Sequence, residues 1–189
     1  MGGRARILLV DDRSQNLVAL EAILSSLDQV IVPVRSGKQA LAKLAADDFA
    51  VVLLDVMMPG MDGFETAHRI RRGPRNADVP IIFLTAANIR PDSTFRGYRA
   101  GGVDYLAKPF DPWVLTAKVS VFVSLYLKRL TATERLSRQV AAIETALAAL
   151  AGIPAVSKDP DAEEALTKLL RRVGELRDAL GDTVPGDTG

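Results

Sequence analysis

Five side chains in this sequence have the types that phosphoryl chemistry needs: Asp11, Asp12, Asp55, Thr85 and Lys108. Each follows a short strand-like run. Ile7-Leu8-Leu9-Val10 ends in Asp11-Asp12, and Val51-Val52-Leu53-Leu54 ends in Asp55. The run from Val79 to Leu84 closes on Thr85, and Val103 to Leu106 leads to Lys108-Pro109-Phe110. Three carboxylates brought together repel one another, and burial raises their pKa values. A hard divalent cation relieves both problems. Mg²⁺ takes oxygen ligands, keeps several waters and binds through one or two carboxylates plus a phosphate. A carboxylate is also a nucleophile toward phosphorus, giving an aspartyl-phosphate. The phosphoryl oxygens then need donors, which Lys108 supplies as a point charge and Thr85 as a hydroxyl. Together the set fits in-line phosphoryl transfer with metal assistance.

The elements that position these residues follow from hydrophobic pattern. Apolar runs this short, without alternation, read as strands buried on both faces. Pro59-Gly60 and Asp62-Gly63 stop the Asp55 strand and force a loop. Between the runs, Leu17, Leu20, Ile23, Leu24 and Leu27 predict a helix over about residues 14–27. Ser36 caps a second helix with Ala40, Leu41 and Leu44 facing inward. Residues 64–72 make a third and residues 91–100 a fourth, ended by Gly101-Gly102. Val30–Val34 is a weaker strand, interrupted by Pro33 and so expected at a sheet edge. A long helix starts near Asp111-Pro112. Five strands and five helices in alternation predict right-handed βαβ crossovers and a parallel sheet covered on both faces. The acids, the hydroxyl and the ammonium then converge on its carboxyl edge, where open α/β sheets bind ligands.

The totals set limits on the rest. The 189 residues, 48% hydrophobic, allow one domain with an appendage or two small domains. A formal net charge of +1 gives no electrostatic case for a nucleic-acid partner. No run approaches the length of a membrane span, and the apolar run after Arg6 is too short for a signal peptide. The absence of cysteine excludes disulfides, thiolate catalysis and thiolate metal sites. The expectation is a cytoplasmic protein without a membrane partner.

In order and spacing the motifs resemble the receiver domain of two-component response regulators, whose fold is flavodoxin-like. The residues that carry the likeness are Leu9-Val10-Asp11-Asp12, the stretch Leu54-Asp55-Val56-Met57-Met58-Pro59-Gly60-Met61-Asp62-Gly63, Thr85-Ala86, and Tyr105-Leu106-Ala107-Lys108-Pro109-Phe110. The resemblance implies an α/β (βα)5 receiver over residues 1–125 with a helical extension over 126–189. It implies that Asp55 accepts a phosphoryl group from the phosphohistidine of a sensor histidine kinase. Asp11 and Asp12 would hold Mg²⁺ with Asp55 and the backbone carbonyl of Met57. Lys108 would pair with the phosphoryl group, across a cis peptide to Pro109. Thr85 and Tyr105 would form a switch pair acting on residues 91–100, the last strand and the start of the long helix. Met57 and Ala87 fall where the family tunes the lifetime of the aspartyl-phosphate.

Plainer readings compete at several positions. Asp11 and Asp12 can cap the first helix, although an adjacent pair exceeds what a cap needs. Asp62 reads as a turn and cap residue rather than a metal ligand. His68, the only histidine, reads as a surface residue of the third helix, so the chain cannot contain its own phosphohistidine kinase domain. Arg69, Arg71, Arg72 and Arg75 read as a solvated helix end that suits the macrodipole.

Beyond residue 125 strand formers thin out. Leu136, Val140, Ile143, Leu147 and Leu150 make a heptad seam, and Leu166, Leu169, Val173, Leu176 and Leu180 make another. The spacing predicts helices over about 112–150 and 161–180, with residues 181–189 frayed. Folding back as a hairpin and pairing with a second chain are both open, and the short seams favour a homodimer. Nothing in the tail resembles a DNA-reading helix pair, and it lacks the length of an enzymatic output domain. The expectation is a phosphoacceptor, not an enzyme, that signals to an unidentified downstream protein. The competing functions are a metal-dependent phosphohydrolase and a non-switching dimeric scaffold.

Overall fold

The computed structural model describes residues 3–73, 75–86, 103–153 and 160–181. The helix expected at 91–100, its Gly101-Gly102 terminator, Ala87 and the frayed end beyond residue 181 lie outside the described residues. Five parallel strands form one sheet in the order β2-β1-β3-β4-β5. They are β1 (Arg6–Val10), β2 (Val30–Val34), β3 (Val51–Asp55), β4 (Ile81–Ala86) and β5 (Asp104–Lys108). β3 is buried along its whole length and β1 from its second residue, as unalternating apolar strands require. β2 is an edge strand, and Pro33 lies within it, where a missing N–H costs least.

Helices cover both faces. On one, α1 (Ser14–Leu24) and the start of α4 (Pro112–Ala151) bury Leu17, Leu20, Leu24, Leu115, Val119 and Val123 against Ile7, Leu9 and Leu53. On the other, α2 (Gly37–Ala46) and α3 (Gly63–Arg71) bury Ala40, Leu44, Ala67 and Ile70 against Leu8, Val10, Leu54 and Phe83. Two caps set helix starts. The Ser36 hydroxyl accepts from the Gln39 N–H at 3.3 Å, and the Asp62 carboxylate from the Glu65 N–H at 2.7 Å. Each such cap stabilises its helix by about 1 kcal/mol.

Several boundaries differ from the sequence expectation. α1 ends at Leu24 and is followed by a 3₁₀ turn over Ser25–Leu27, which Asp28 closes in the left-handed conformation at φ 51°. β4 and β5 each run two residues further than the apolar pattern. The ladder continues through Thr85 with Ala107 and Ala86 with Lys108, since backbone pairing takes no account of side-chain polarity. The arginine cluster is not uniformly solvated either. Arg71 is half-buried and donates to the Ala77 carbonyl at 2.6 Å, with burial holding its pKa below the usual arginine value. Arg75 grips Asp48 through two nitrogens at 2.9 and 3.1 Å. Arg69 and Arg72 are exposed, as is His68.

The chain divides into two compact units, Met1–Leu127 and Lys128–Gly189, with α4 passing through the boundary. In the second unit, Arg177 of α5 (Pro160–Gly181) reaches Glu144 of α4 at 3.1 Å. No described residue of this unit is buried. Leu136, Ile143, Leu150, Leu169 and Leu176 are each about half exposed. Among the described residues no helix is long and apolar enough to cross a membrane.

Candidate functional site

Strand parity assembles the charged cluster. Ile7 and Leu9, Val51 and Leu53, and Leu106 all belong to the core beneath α1 and α4. Two residues on from the last of each come Asp11, Asp55 and Lys108, which therefore share that side of the sheet. Val10 is in register with Leu54, so Asp11 and Asp55 follow side by side. Carboxylate oxygens of Asp11, Asp12 and Asp55 lie within 4.8 Å of one another. Asp11 is wholly buried, Asp55 is 6% exposed and Asp12 is half-buried.

The Lys108 ammonium bridges the two buried acids, 2.8 Å from Asp11 Oδ2 and 2.7 Å from Asp55 Oδ1. The Met57 backbone N–H donates to Asp55 Oδ2 at 3.1 Å. Burial pushes the Asp55 carboxyl above the usual aspartate value, and the nearby Asp11 adds to this against the pull of Lys108. Burial opposes the charge on Lys108, yet the two carboxylates together outweigh it and hold its pKa above the usual lysine value. One ammonium against three carboxylates leaves excess negative charge. At an effective dielectric constant of about 20, each carboxylate pair at such a distance repels by about 3 kcal/mol. The oxygen donor set and the excess charge both suit a hard divalent cation such as Mg²⁺.

The acids are not acting as a helix cap. Arg13 occupies the N-cap of α1 and makes no side-chain cap bond. Asp11 instead accepts from the Arg13 N–H at 3.0 Å and from the Asn16 side chain. Asp62 caps α3, in keeping with its reading from sequence as a turn and cap residue.

Thr85 lies one step beyond the pairing of Asp55 with Leu84 and is 6% exposed. It shares sheet parity with Phe83, which pairs with Tyr105 on β5. The Tyr105 ring stacks on Phe83 at a centroid distance of 5.1 Å, and its hydroxyl is shielded from solvent. The Lys108–Pro109 peptide is cis. An open, mainly apolar cavity of about 240 Å³ lies beside Lys108, lined by Ala19, Leu20 and Ile23 of α1 and by Phe110.

Two participants had no site role assigned from sequence. Asn16 is one amide among many polar residues until the fold brings it to Asp11. Gly63 reads as an ordinary turn glycine, yet a Cβ there would stand 2.3 Å from the Asp55 carbonyl oxygen and 2.9 Å from Val56 Cα. Its N–H donates to the Val56 carbonyl at 3.0 Å, which seats α3 directly on the end of β3.

Comparison with known proteins identifies the family of the sheet-bearing part of the chain. The family described as the response regulator receiver domain matches residues 7–120. Response regulator PleD of Caulobacter vibrioides is 36% identical over 151 residues, covering 79% of this chain and 33% of PleD. That alignment is longer than the receiver match, and only six residues precede residue 7, so the likeness continues well along α4. The transcriptional regulatory protein YrkP of Bacillus subtilis is 41% identical over 114 residues, 60% of this chain and 47% of YrkP. The chain thus spans between a third and a half of these curated relatives. Among solved structures, the receiver domain of sensor histidine kinase PA1611 from Pseudomonas aeruginosa aligns at 33% identity with a TM-score of 0.59. The alignment covers 65% of this chain and 99% of that one, and that domain carries a magnesium ion in its active-site cleft.

Proposed function

The chain belongs to the response regulator receiver domain family of two-component systems, and we propose that Asp55 is its phosphoacceptor, charged by a histidine kinase in the cytoplasm. The observation that carries this reading is the Lys108 ammonium bridging Asp11 and Asp55 at the carboxyl edge of the sheet. An Asp55 oxygen attacks the phosphorus of the donor phosphohistidine. The new O–P bond forms as the P–N bond breaks, and the imidazole nitrogen leaves with the electron pair. Asp11, Asp12, Asp55 and the Met57 backbone carbonyl would hold Mg²⁺, which supplies charge neutralisation at the phosphoryl oxygens. Lys108 then turns to a phosphoryl oxygen as a charge-assisted donor. Thr85 donates its hydroxyl to another, and Tyr105, beside it on the same sheet face, follows as the second member of the switch.

The chain acts by contact rather than by turnover of a separate substrate. The comparisons do not favour a phosphohydrolase. The extension would carry the output. The half-exposed Leu136, Ile143 and Leu150 recur every seven residues on α4, and Leu169 and Leu176 do so on α5, which supports pairing with a second copy. A downstream protein docking on the same seams is the other outcome of the test.

Light scattering on the intact chain and on Asp55→Asn, with and without Mg²⁺ plus beryllofluoride, tests this reading. The expected result is a change of mass or shape that requires Asp55. A dimer indifferent to beryllofluoride, despite binding it, would make the extension a constant dimeriser. Failure of beryllofluoride and Mg²⁺ to bind at all would overturn the phosphoacceptor reading in favour of a non-switching scaffold.

A further inference from the structure

The wholly buried Asp11 carboxylate is met by three different groups. The Arg13 N–H reaches Oδ1 at 3.0 Å, and the Lys108 ammonium reaches Oδ2 at 2.8 Å. The Asn16 amide nitrogen lies 2.9 Å from both oxygens. Asn16 stands in the first turn of α1, and Leu17, Leu20 and Leu24 of that helix are buried in the core, so its backbone is held fast. Its own N–H is bonded to the Arg13 carbonyl at 3.0 Å. The nitrogen end of the amide must face the acid, because the carbonyl end would set lone pairs against lone pairs.

We propose that Asn16 is a positioning residue that keeps Asp11 satisfied and in place while Lys108 leaves it for the phosphoryl group on Asp55. The inference rests on the phosphoacceptor reading above. In the resting site Lys108 serves both buried acids. New phosphoryl oxygens draw the ammonium toward Asp55 and away from Asp11. A buried carboxylate oxygen stripped of its donor is costly, and Oδ2 of Asp11 has Lys108 and Asn16 to rely on. With Asn16 present, the departure of Lys108 leaves neither oxygen bare. Without it, Lys108 is the remaining protein donor to Oδ2, and the cost of moving it falls on phosphorylation. Binding of the metal alone does not require Lys108 to move toward a phosphoryl group, so it feels the loss less.

The test compares wild type with Asn16→Ala and the smaller change Asn16→Ser, after a circular-dichroism melt has shown which of them is folded. Calorimetry measures Mg²⁺ alone, then beryllofluoride at saturating Mg²⁺. The expected result is beryllofluoride affinity weaker by about tenfold, the scale of one lost charge-assisted bond, with Mg²⁺ affinity changed less than threefold. Equal beryllofluoride affinity in variant and wild type overturns the proposal. Equal losses for both ligands overturn it too, since they report general damage to the acid cluster. Failure of wild type itself to bind beryllofluoride removes the phosphoacceptor reading and this inference with it.

Discussion

Replacing Lys108 with methionine keeps the apolar stem and removes the ammonium that bridges Asp11 and Asp55. Two charge-assisted bonds are lost, each worth about 1.5–3 kcal/mol, and the carboxylates face one another unscreened. Against this, the variant no longer buries an ammonium, and the lysine side chain is 28% exposed, so water screens part of the effect. The net expectation is a loss of about 3 kcal/mol, the lower end for breaking a buried pair. For a chain of this size that lowers Tm by roughly 6–12 °C. The sign with pH is fixed by the raised lysine pKa. The stabilisation is fully present below the ordinary lysine value and fades only as pH rises through the higher folded one, so it is complete at pH 7. Mg²⁺ supplies the missing positive charge. With no ammonium beside the acids, the variant should bind the ion about tenfold more tightly, which is about 1.4 kcal/mol of extra stabilisation at saturation. Roughly half of the stability gap should therefore close in Mg²⁺. Urea unfolding of both proteins, without and with saturating Mg²⁺, measures the gap. A loss under about 1 kcal/mol, or a gap unchanged by Mg²⁺, would refute the view that Lys108 and the cation neutralise the same carboxylates.

Two further perturbations probe the same site. Burial raises the Asp55 pKa, so the folded chain binds that proton at a higher pH than the unfolded chain, and ionised Asp55 lowers stability above that window. Asp55→Asn should therefore melt above wild type at pH 7 without Mg²⁺, the difference shrinking as pH falls through the raised value toward the ordinary aspartate one; an unchanged difference across that range would remove Asp55 as its source. Gly63→Ala would set a methyl 2.3 Å from the Asp55 carbonyl oxygen, forcing α3 away from β3. The expected destabilisation is about 1–3 kcal/mol, with weaker Mg²⁺ binding by calorimetry because the backbone beside Asp55 must shift.

Much of the site was legible because its framework is local. A central parallel strand is buried on both faces, so Ile7–Val10 and Val51–Leu54 announce themselves without reference to any partner. The acids follow directly in sequence, and a period of two then decides which side of the sheet they take. Asp62 was equally readable, since a cap acts on an N–H three residues away. The proline in β2 correctly marked an edge. These are statements about a few consecutive residues, and chain chemistry alone determines them.

The remainder is decided by contacts between residues distant in the chain. Lys108 meets Asp11 across 97 positions, and Arg75 meets Asp48 across 27. β4 and β5 extend past their apolar runs because each supplies the other's backbone partners. Even over five residues, Asn16 reaches Asp11 only because core packing of α1 points the start of that helix at the end of β1. Gly63 is needed not for the turn that its sequence suggests but for the space that β3 leaves it. Residue types and spacing therefore determined which groups were available for phosphoryl chemistry and which strands would carry them. Tertiary structure decided which of them touch, because burial and hydrogen-bond satisfaction are properties of the assembled sheet and its helices.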